Sequence, residues 1–405
     1  MSSQNFWKRL MLTAVTFLFI VGAAVPALAA LAPLEQLGKN LFFDANLSTP
    51  LGMSCAACHT PEAGWTGPIS SINAAGAIYP GVVHTRAGNR KPPSSAYGGA
   101  SPVMSVDDTG FTLGGMFWDG RATGWTLGDP LKEQALGPFL NPVEQNNPQE
   151  RLVIIKIILQ SPYAELFIEE YSKLYGVPAK KVTPGTVDVE KFYQFVGTAI
   201  AAYERSDEVN PFSSKYDYFL KGQARLTPQE AAGLMLFNGK GKCANCHPSI
   251  GQGALFTDFS YDNLGVPKNS LNPFYFQTKK INPLGEEWVD LGLGAFLATT
   301  NDYKTFAQVN NGKQKVPTLR NVDKRPTPDF VKAYGHNGYF KSLEEIVHFY
   351  NTRDVTGAGW NNQPWPPPEV ADNVNKGELG NLGLTPAEEA AIVAFLKTLS
   401  DGYQP

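Results

Sequence analysis

The chain has four cysteines, and they fall in two short segments of the same pattern: Cys55-Ala56-Ala57-Cys58-His59 and Cys243-Ala244-Asn245-Cys246-His247. No other feature restricts the fold as tightly. Four cysteines could form two disulfides, and two C-x-x-C pairs could hold one zinc ion or serve as thiol redox centres. The histidine after each pair points elsewhere, because C-x-x-C-H is the spacing of covalent c-type haem attachment. Two thiols about one helical turn apart reach the two vinyl groups of one porphyrin, and the adjacent imidazole turns under the ring to the iron. The expectation is two covalently bound haem c groups, attached at Cys55, Cys58, Cys243 and Cys246, with His59 and His247 as iron ligands.

Lys8 and Arg9 precede an apolar run, Leu10 to Val25, which ends in Ala27-Leu28-Ala29. A basic start, a short apolar core and a small-residue site describe a secretory signal peptide over residues 1–29, cleaved near Ala29. The run is short for a bilayer span, and no later stretch is apolar enough for one. The mature chain is therefore expected in the periplasm, without a membrane span. A net charge of −3 gives no reason to expect a nucleic-acid partner.

The surroundings of the two motifs repeat. Ala32 to Phe43 (APLEQLGKNLFF) aligns with Thr227 to Asn238 (TPQEAAGLMLFN), so that Gly38 meets Gly233 and Leu41-Phe42 meet Leu236-Phe237. Thr227, Pro228 and Glu230 form a helix-start signal, as do Thr385, Pro386 and Glu388. Far beyond each motif, Ala199 to Tyr203 (AIAAY) matches Ala391 to Phe395 (AIVAF). Each unit reads helix, C-x-x-C-H, loops, closing helix, the order of a cytochrome c domain. The predicted fold is mainly α: two tandem cytochrome c-like domains, residues 30–212 and 213–405, each built around one covalently bound haem with long loops. The boundary is expected in the polar stretch Ser206 to Arg225.

Between the motifs, Gly115 to Gln145 reads as a loop rich in Gly, Pro and aromatics. Its F-W-D-G-R-A and Q-A-x-G-P-x-x-N-P-x-E motifs, with LFFDANLS, LFTDF, VPTLRNV and GHNG elsewhere, resemble the bacterial dihaem cytochrome c peroxidase family, which includes the MauG enzymes. The likeness covers essentially the whole mature chain. It departs by extra residues within Thr123 to Lys132. It implies that Gln134 and Glu144 serve hydrogen peroxide at the N-terminal, peroxidatic haem, and that Trp118 lies between the haems. A carboxylate beside the iron can take the proton peroxide loses and return it to the departing oxygen, while an amide orients it. The likeness also implies that His84, in the loop after the first motif, caps the peroxidatic iron at rest. The family's R-N-x-P, whose Asn helps bind calcium, is replaced by Arg90-Lys91-Pro92-Pro93 here, so calcium is in doubt; a lysine ammonium could occupy much the same place.

At the C-terminal, electron-transfer haem the family usually supplies a methionine fourteen residues after the histidine of an H-x-G turn. Here that turn is His336-Asn337-Gly338, and fourteen residues on stands Tyr350. No methionine follows Met235. His348 is the rival, but on a helix it points about 200° away from Tyr350, so Tyr350 is the expected sixth ligand. The resemblance implies a periplasmic peroxidase that reduces hydrogen peroxide with electrons from a small c-type cytochrome or cupredoxin. The alternatives are a MauG-like oxidase that modifies Trp or Tyr of a partner protein, and a non-catalytic dihaem electron carrier.

Overall fold

The computed structural model describes residues 30–405; the signal-peptide reading lies outside the described residues. Leu31–Pro405 forms one compact body. Its helices are α1 (Pro33–Phe43), α2 (Ser70–Ala74), α3 (Pro130–Leu140), α4 (Glu150–Gln160), α5 (Ala164–Tyr175), α6 (Val189–Arg205), α7 (Lys215–Leu220), α8 (Pro228–Asn238), α9 (Gly292–Leu297), α10 (Leu343–Thr352) and α11 (Pro386–Lys397). Sheet is confined to three two-stranded antiparallel ribbons: β1–β2 (Ser105–Val106, Thr112–Leu113), β3–β4 (Tyr261–Asp262, Gln314–Lys315) and β5–β6 (Gly359–Trp360, Gln363–Pro364). Long loops carry most of the rest. Among the described residues no helix is long and apolar enough to cross a membrane.

The sequence repeat becomes a repeat of helix packing. α1 crosses α6 and α8 crosses α11, and in each crossing a glycine removes the side chain that would keep the helices apart. A Cβ on Gly38 would lie 1.9 Å from the carbonyl oxygen of Ala199, and one on Gly233 would lie 1.9 Å from that of Ala391. The aromatic pairs beside these contacts also correspond: Phe42 meets Tyr203 edge-on at 5.6 Å, and Phe237 meets Phe395 at 5.2 Å. Each crossing anchors its own buried cluster, the first extended by Phe139, Ile154 and Phe167, the second by Phe256, Phe340 and Phe349. The helix-start signals hold. Thr227 and Glu230 exchange side-chain to backbone hydrogen bonds, as do Thr385 and Glu388.

Two local readings change. Gly115 to Gln145 is not all loop: Asp129 caps α3 by accepting from Leu131 N–H, and Pro130 takes the first helical turn. The polar stretch Ser206 to Arg225 holds α7, capped by Ser214 and Asp217. Its Asp217 is buried in an ion pair with Arg320 at 2.6 Å, and its Tyr216 joins the second core.

Candidate functional site: two cavities joined at Trp118

Each C-x-x-C-H segment forms a short 3-10 turn against the wall of its own cavity. Cys55, Cys58 and His59 line the first cavity; Cys243, Cys246 and His247 line the second. Lying in separate cavities, the pairs cannot share a zinc ion, and all four thiols are free. Burial pushes the Cys58, Cys243 and Cys246 thiols up to about 12, so they are held as neutral thiols. The two histidines are set alike. His59 Nδ1 meets the carbonyl of Trp65 at 3.1 Å, and His247 Nδ1 meets that of Phe256 at 2.7 Å. Desolvation lowers both imidazoles, His59 to about 4, which keeps them neutral. With Nδ1–H donated, Nε2 keeps a lone pair for iron. Buried polar atoms without partners also face each cavity: Glu204 Oε2 and Gln145 Oε1 in the first, Arg320 Nη2 and His336 Nε2 in the second. Thiols, a free imidazole nitrogen and spare polar atoms on an apolar wall fit a haem in each cavity.

Gln134 and Glu144 both line the first cavity. Gln134 stands on α3 and Glu144 on the turn beyond its C-terminus. That turn is pinned from both sides: Glu144 N–H donates to Asn141 O, and Glu144 O accepts from Val82 N–H. Gly81 packs so closely that a Cβ there would lie 2.4 Å from Val143 O. Desolvation raises the Glu144 carboxyl above its ordinary range, against the pull of Arg121 and a hydrogen bond from Asn141. His84 is not brought to this cavity. It is exposed on a tight turn closed by Arg86 N–H to Val83 O, with Gly81 N–H to Arg86 O behind it. In this conformation the expected iron cap is absent, because the turn directs His84 to solvent.

Trp118 lines both cavities. Its indole N–H donates to Lys91 O at 2.8 Å, and its own carbonyl accepts from Lys315 N–H at 2.8 Å. These lysines open a second internal repeat that the sequence reading passed over: Lys91-Pro92-Pro93-Ser94 and Lys315-Val316-Pro317-Thr318. Ser94 Oγ donates to Gly64 O, next to the Trp65 carbonyl that holds His59; Thr318 Oγ1 donates to Leu255 O, next to the Phe256 carbonyl that holds His247. Lys91 Nζ is buried beside Thr66 Oγ1 (3.2 Å) and Pro92 O (3.0 Å). Arg90 binds Asp290 through two hydrogen bonds and Asp119 through one, fixing the loop that carries Trp118. His336 meets Trp118 edge-on at 6.4 Å.

Tyr350 lines the second cavity with His247. Burial, with the nearby Cys243 and Cys246, raises its phenol well above the usual tyrosine range, so a phenolate there needs a cation beside it. No methionine lines this cavity. His348 points elsewhere: Nδ1 lies 2.9 Å from Glu389 and Nε2 3.1 Å from Gly359 O.

Paired cavities of this build, with Trp118, Lys91, Pro93 and Ser94 in the walls of both, define a di-haem cytochrome. The di-haem cytochrome c peroxidase family matches residues 32–225. Over 400 residues the chain is 34% identical to the methylamine utilization protein MauG of Paracoccus denitrificans, covering 95% of this chain and 93% of that one. It is 29% identical to cytochrome c551 peroxidase of Nitrosomonas europaea, over 92% and 81%. Among solved structures, the diheme peroxidase BthA of Burkholderia thailandensis superposes with a TM-score of 0.72 at 31% identity, covering 93% and 88%. The chain belongs to the di-haem cytochrome c peroxidase family, and it is an oxidoreductase of that type.

Proposed function

We propose that the protein is an exported peroxidase that reduces hydrogen peroxide to water at the first cavity, with electrons from a small c-type cytochrome or cupredoxin received at the second. The observation that carries this reading is the convergence of Glu144 and Gln134 on the cavity of Cys55, Cys58 and His59, with Trp118 shared between both cavities. Haem c, joined by thioether bonds in each cavity, supplies the iron that binds peroxide and exchanges electrons. The protein residues handle protons and geometry. Glu144 takes the proton that peroxide loses and delivers it to the oxygen that leaves as water, and desolvation of its carboxyl keeps proton return favourable. Gln134 donates its amide N–H to hold peroxide toward Glu144. Desolvation keeps His59 and His247 neutral, and their Nδ1 contacts with the Trp65 and Phe256 carbonyls orient the rings. In the second cavity His247 and Tyr350 would hold the iron.

A second reading, a MauG-like oxidase acting on Trp or Tyr of a partner protein, is favoured by the exposed position of His84 and by Tyr350 in place of a methionine. Stopped-flow mixing of the fully oxidised holoprotein with peroxide separates the two. Slow reaction that becomes fast on half-reduction, with steady turnover of a reduced donor, supports the peroxidase. Immediate reaction of the oxidised form with weak donor turnover supports the oxidase. No reaction with peroxide in either state overturns both.

A further inference from the structure

Trp125 is the surface end of a series of oxidisable residues that leads, partly through backbone hydrogen bonds, to Trp118. It stands in the segment where this sequence departs from the family pattern, and its indole is 43% exposed. It packs on Tyr303 with ring centres 5.4 Å apart and the planes tilted by 35°. Its Nε1–H donates to Met104 O at 2.9 Å. The Met104 side chain is buried against Tyr261. A Cβ on Gly120 would lie 2.3 Å from Met104 Cε and 2.5 Å from Tyr261 Oη, so thioether and phenol meet over this glycine, in the same loop as Trp118. Tyr261 pairs with Lys315 across β3–β4, and Lys315 N–H donates to Trp118 O. Lys315 Nζ and Tyr261 Oη also share one acceptor, Gly114 O, at 3.1 and 2.6 Å.

We propose that Trp125, packed on Tyr303, is a surface electron-exchange site, connected through Met104 and Tyr261 to Trp118, that feeds reducing equivalents inward when no donor protein is bound. The proposal rests on the peroxide-reducing reading above. Indole, phenol and thioether are the side chains that most readily lose an electron. When Tyr261 loses one toward Trp118, its phenol proton is taken up by the neutral form of Lys315, whose Nζ lies 5.2 Å from the Tyr261 ring centre and shares its acceptor Gly114 O, and which burial brings to about 7. Tyr261 regains the electron from Trp125 by way of Met104, and the proton returns. Trp125 is refilled by a small one-electron reductant in solvent. Two such transfers, with two protons from solvent, complete the reduction of one hydrogen peroxide to two waters. Without a reductant, the electron deficit stays at Trp125 and Tyr303 and ends in covalent oxidation there.

The test is peptide mapping of the holoprotein after exposure to peroxide without donor, with peroxide loss followed in the same samples. The wild type should gain oxygen at Trp125 or Tyr303, and ferrocyanide should suppress the gain. In Trp125→Phe the added oxygen should move inward, to Met104 as the sulfoxide. In Met104→Leu, a near-isosteric change, the gain at Trp125 should fall. If peroxide is consumed but Trp125 and Tyr303 stay unmodified, or the map is the same in all three proteins, the relay is wrong and the peroxide reading stands. If no peroxide is consumed, both fall.

Discussion

The indole N–H of Trp118 donates to the backbone carbonyl of Lys91 at 2.8 Å, tying together two residues that line both cavities, the second of them in the loop that follows the first haem motif. The matching contact from Lys315 N–H to Trp118 O comes from the equivalent position of the second half. One residue is thus held by both copies of an internal repeat, through backbone atoms that no side-chain substitution at Lys91 or Lys315 removes. Trp118→Phe keeps the ring but leaves Lys91 O without its donor. The expected cost is about 1–3 kcal/mol in urea unfolding. Donor-driven peroxide turnover should fall while both haem spectra hold. Turnover equal to wild type would remove Trp118 from the electron path.

Calcium removal should change nothing. The buried Lys91 ammonium stands beside Thr66 Oγ1 and Pro92 O, where a divalent ion would meet a fixed positive charge. Peroxide turnover and haem potentials should be the same before and after treatment with a calcium chelator. A loss of activity that added calcium restores would show a site elsewhere.

The two helix crossings should fail alike. Gly38→Ala and Gly233→Ala each drive a methyl group into a carbonyl oxygen 1.9 Å away, with helix backbone on both sides and no flexible side chain to yield. Each substitution should cost about 4 kcal/mol or more. Because each crossing anchors its own core, Gly38→Ala should impair haem incorporation at Cys55 and Cys58 first, and Gly233→Ala at Cys243 and Cys246. Haem-stained tryptic peptides report which site is lost.

Glu144 should set an acid limb on turnover. A base must be deprotonated to act, and desolvation raises this carboxyl above the ordinary glutamate range. Activity should therefore fall with decreasing pH earlier than an unperturbed carboxylate would dictate. Glu144→Gln should lower turnover about 10²-fold or more and abolish that limb. Arg121 opposes the shift by its charge, so Arg121→Gln should move the limb to higher pH. An unchanged profile in Glu144→Gln would assign the limb to another group.

What was legible in the sequence was what short-range chemistry dictates. The C-x-x-C-H motifs, the capping signals at Thr227 and Thr385, and the pairing of Gly38 with Gly233 all depend on residues close together in the chain or repeated within it. The start of α3 was missed although Asp129-Pro130 is an ordinary helix start, because the surrounding glycines and aromatics dominated the reading. The Lys91 and Lys315 repeat was present as K-x-P-S and K-x-P-T, but its meaning lies in backbone contacts to Trp118, which side-chain patterns do not report. His84 shows a limit of a different kind. A motif places a residue in a loop, whereas the hydrogen bonds of the turn decide which way it faces, and here they face it to solvent.

The ligand of the second iron follows from what His348 already does. Nδ1 lies 2.9 Å from the Glu389 carboxylate and Nε2 3.1 Å from Gly359 O, so both ring nitrogens are turned to protein oxygens and away from the second cavity. The ring also lies between Trp360 and Trp365, on the side of α10 that faces the β5–β6 ribbon. Tyr350, two residues on, lines the cavity with His247. Burial, with Cys243, Cys246 and Asp262 nearby, holds its phenol protonated; a ferric iron bound there would supply the positive charge that stabilises the phenolate. A hard anionic ligand favours the ferric state, whereas a thioether favours the ferrous one. The second haem should therefore have a low potential. Tyr350→Met should raise it and bring up the weak near-infrared band of histidine–methionine ligation. His348→Gln should leave both haem spectra unchanged and cost about 1–3 kcal/mol, because the imidazole's hydrogen bonds to Glu389 and Gly359 O are broken. If Tyr350→Phe leaves the spectrum and potential of the second haem untouched, tyrosine ligation is wrong. If instead His348→Gln alters that spectrum, the helix must rotate on haem binding and release His348 from Glu389.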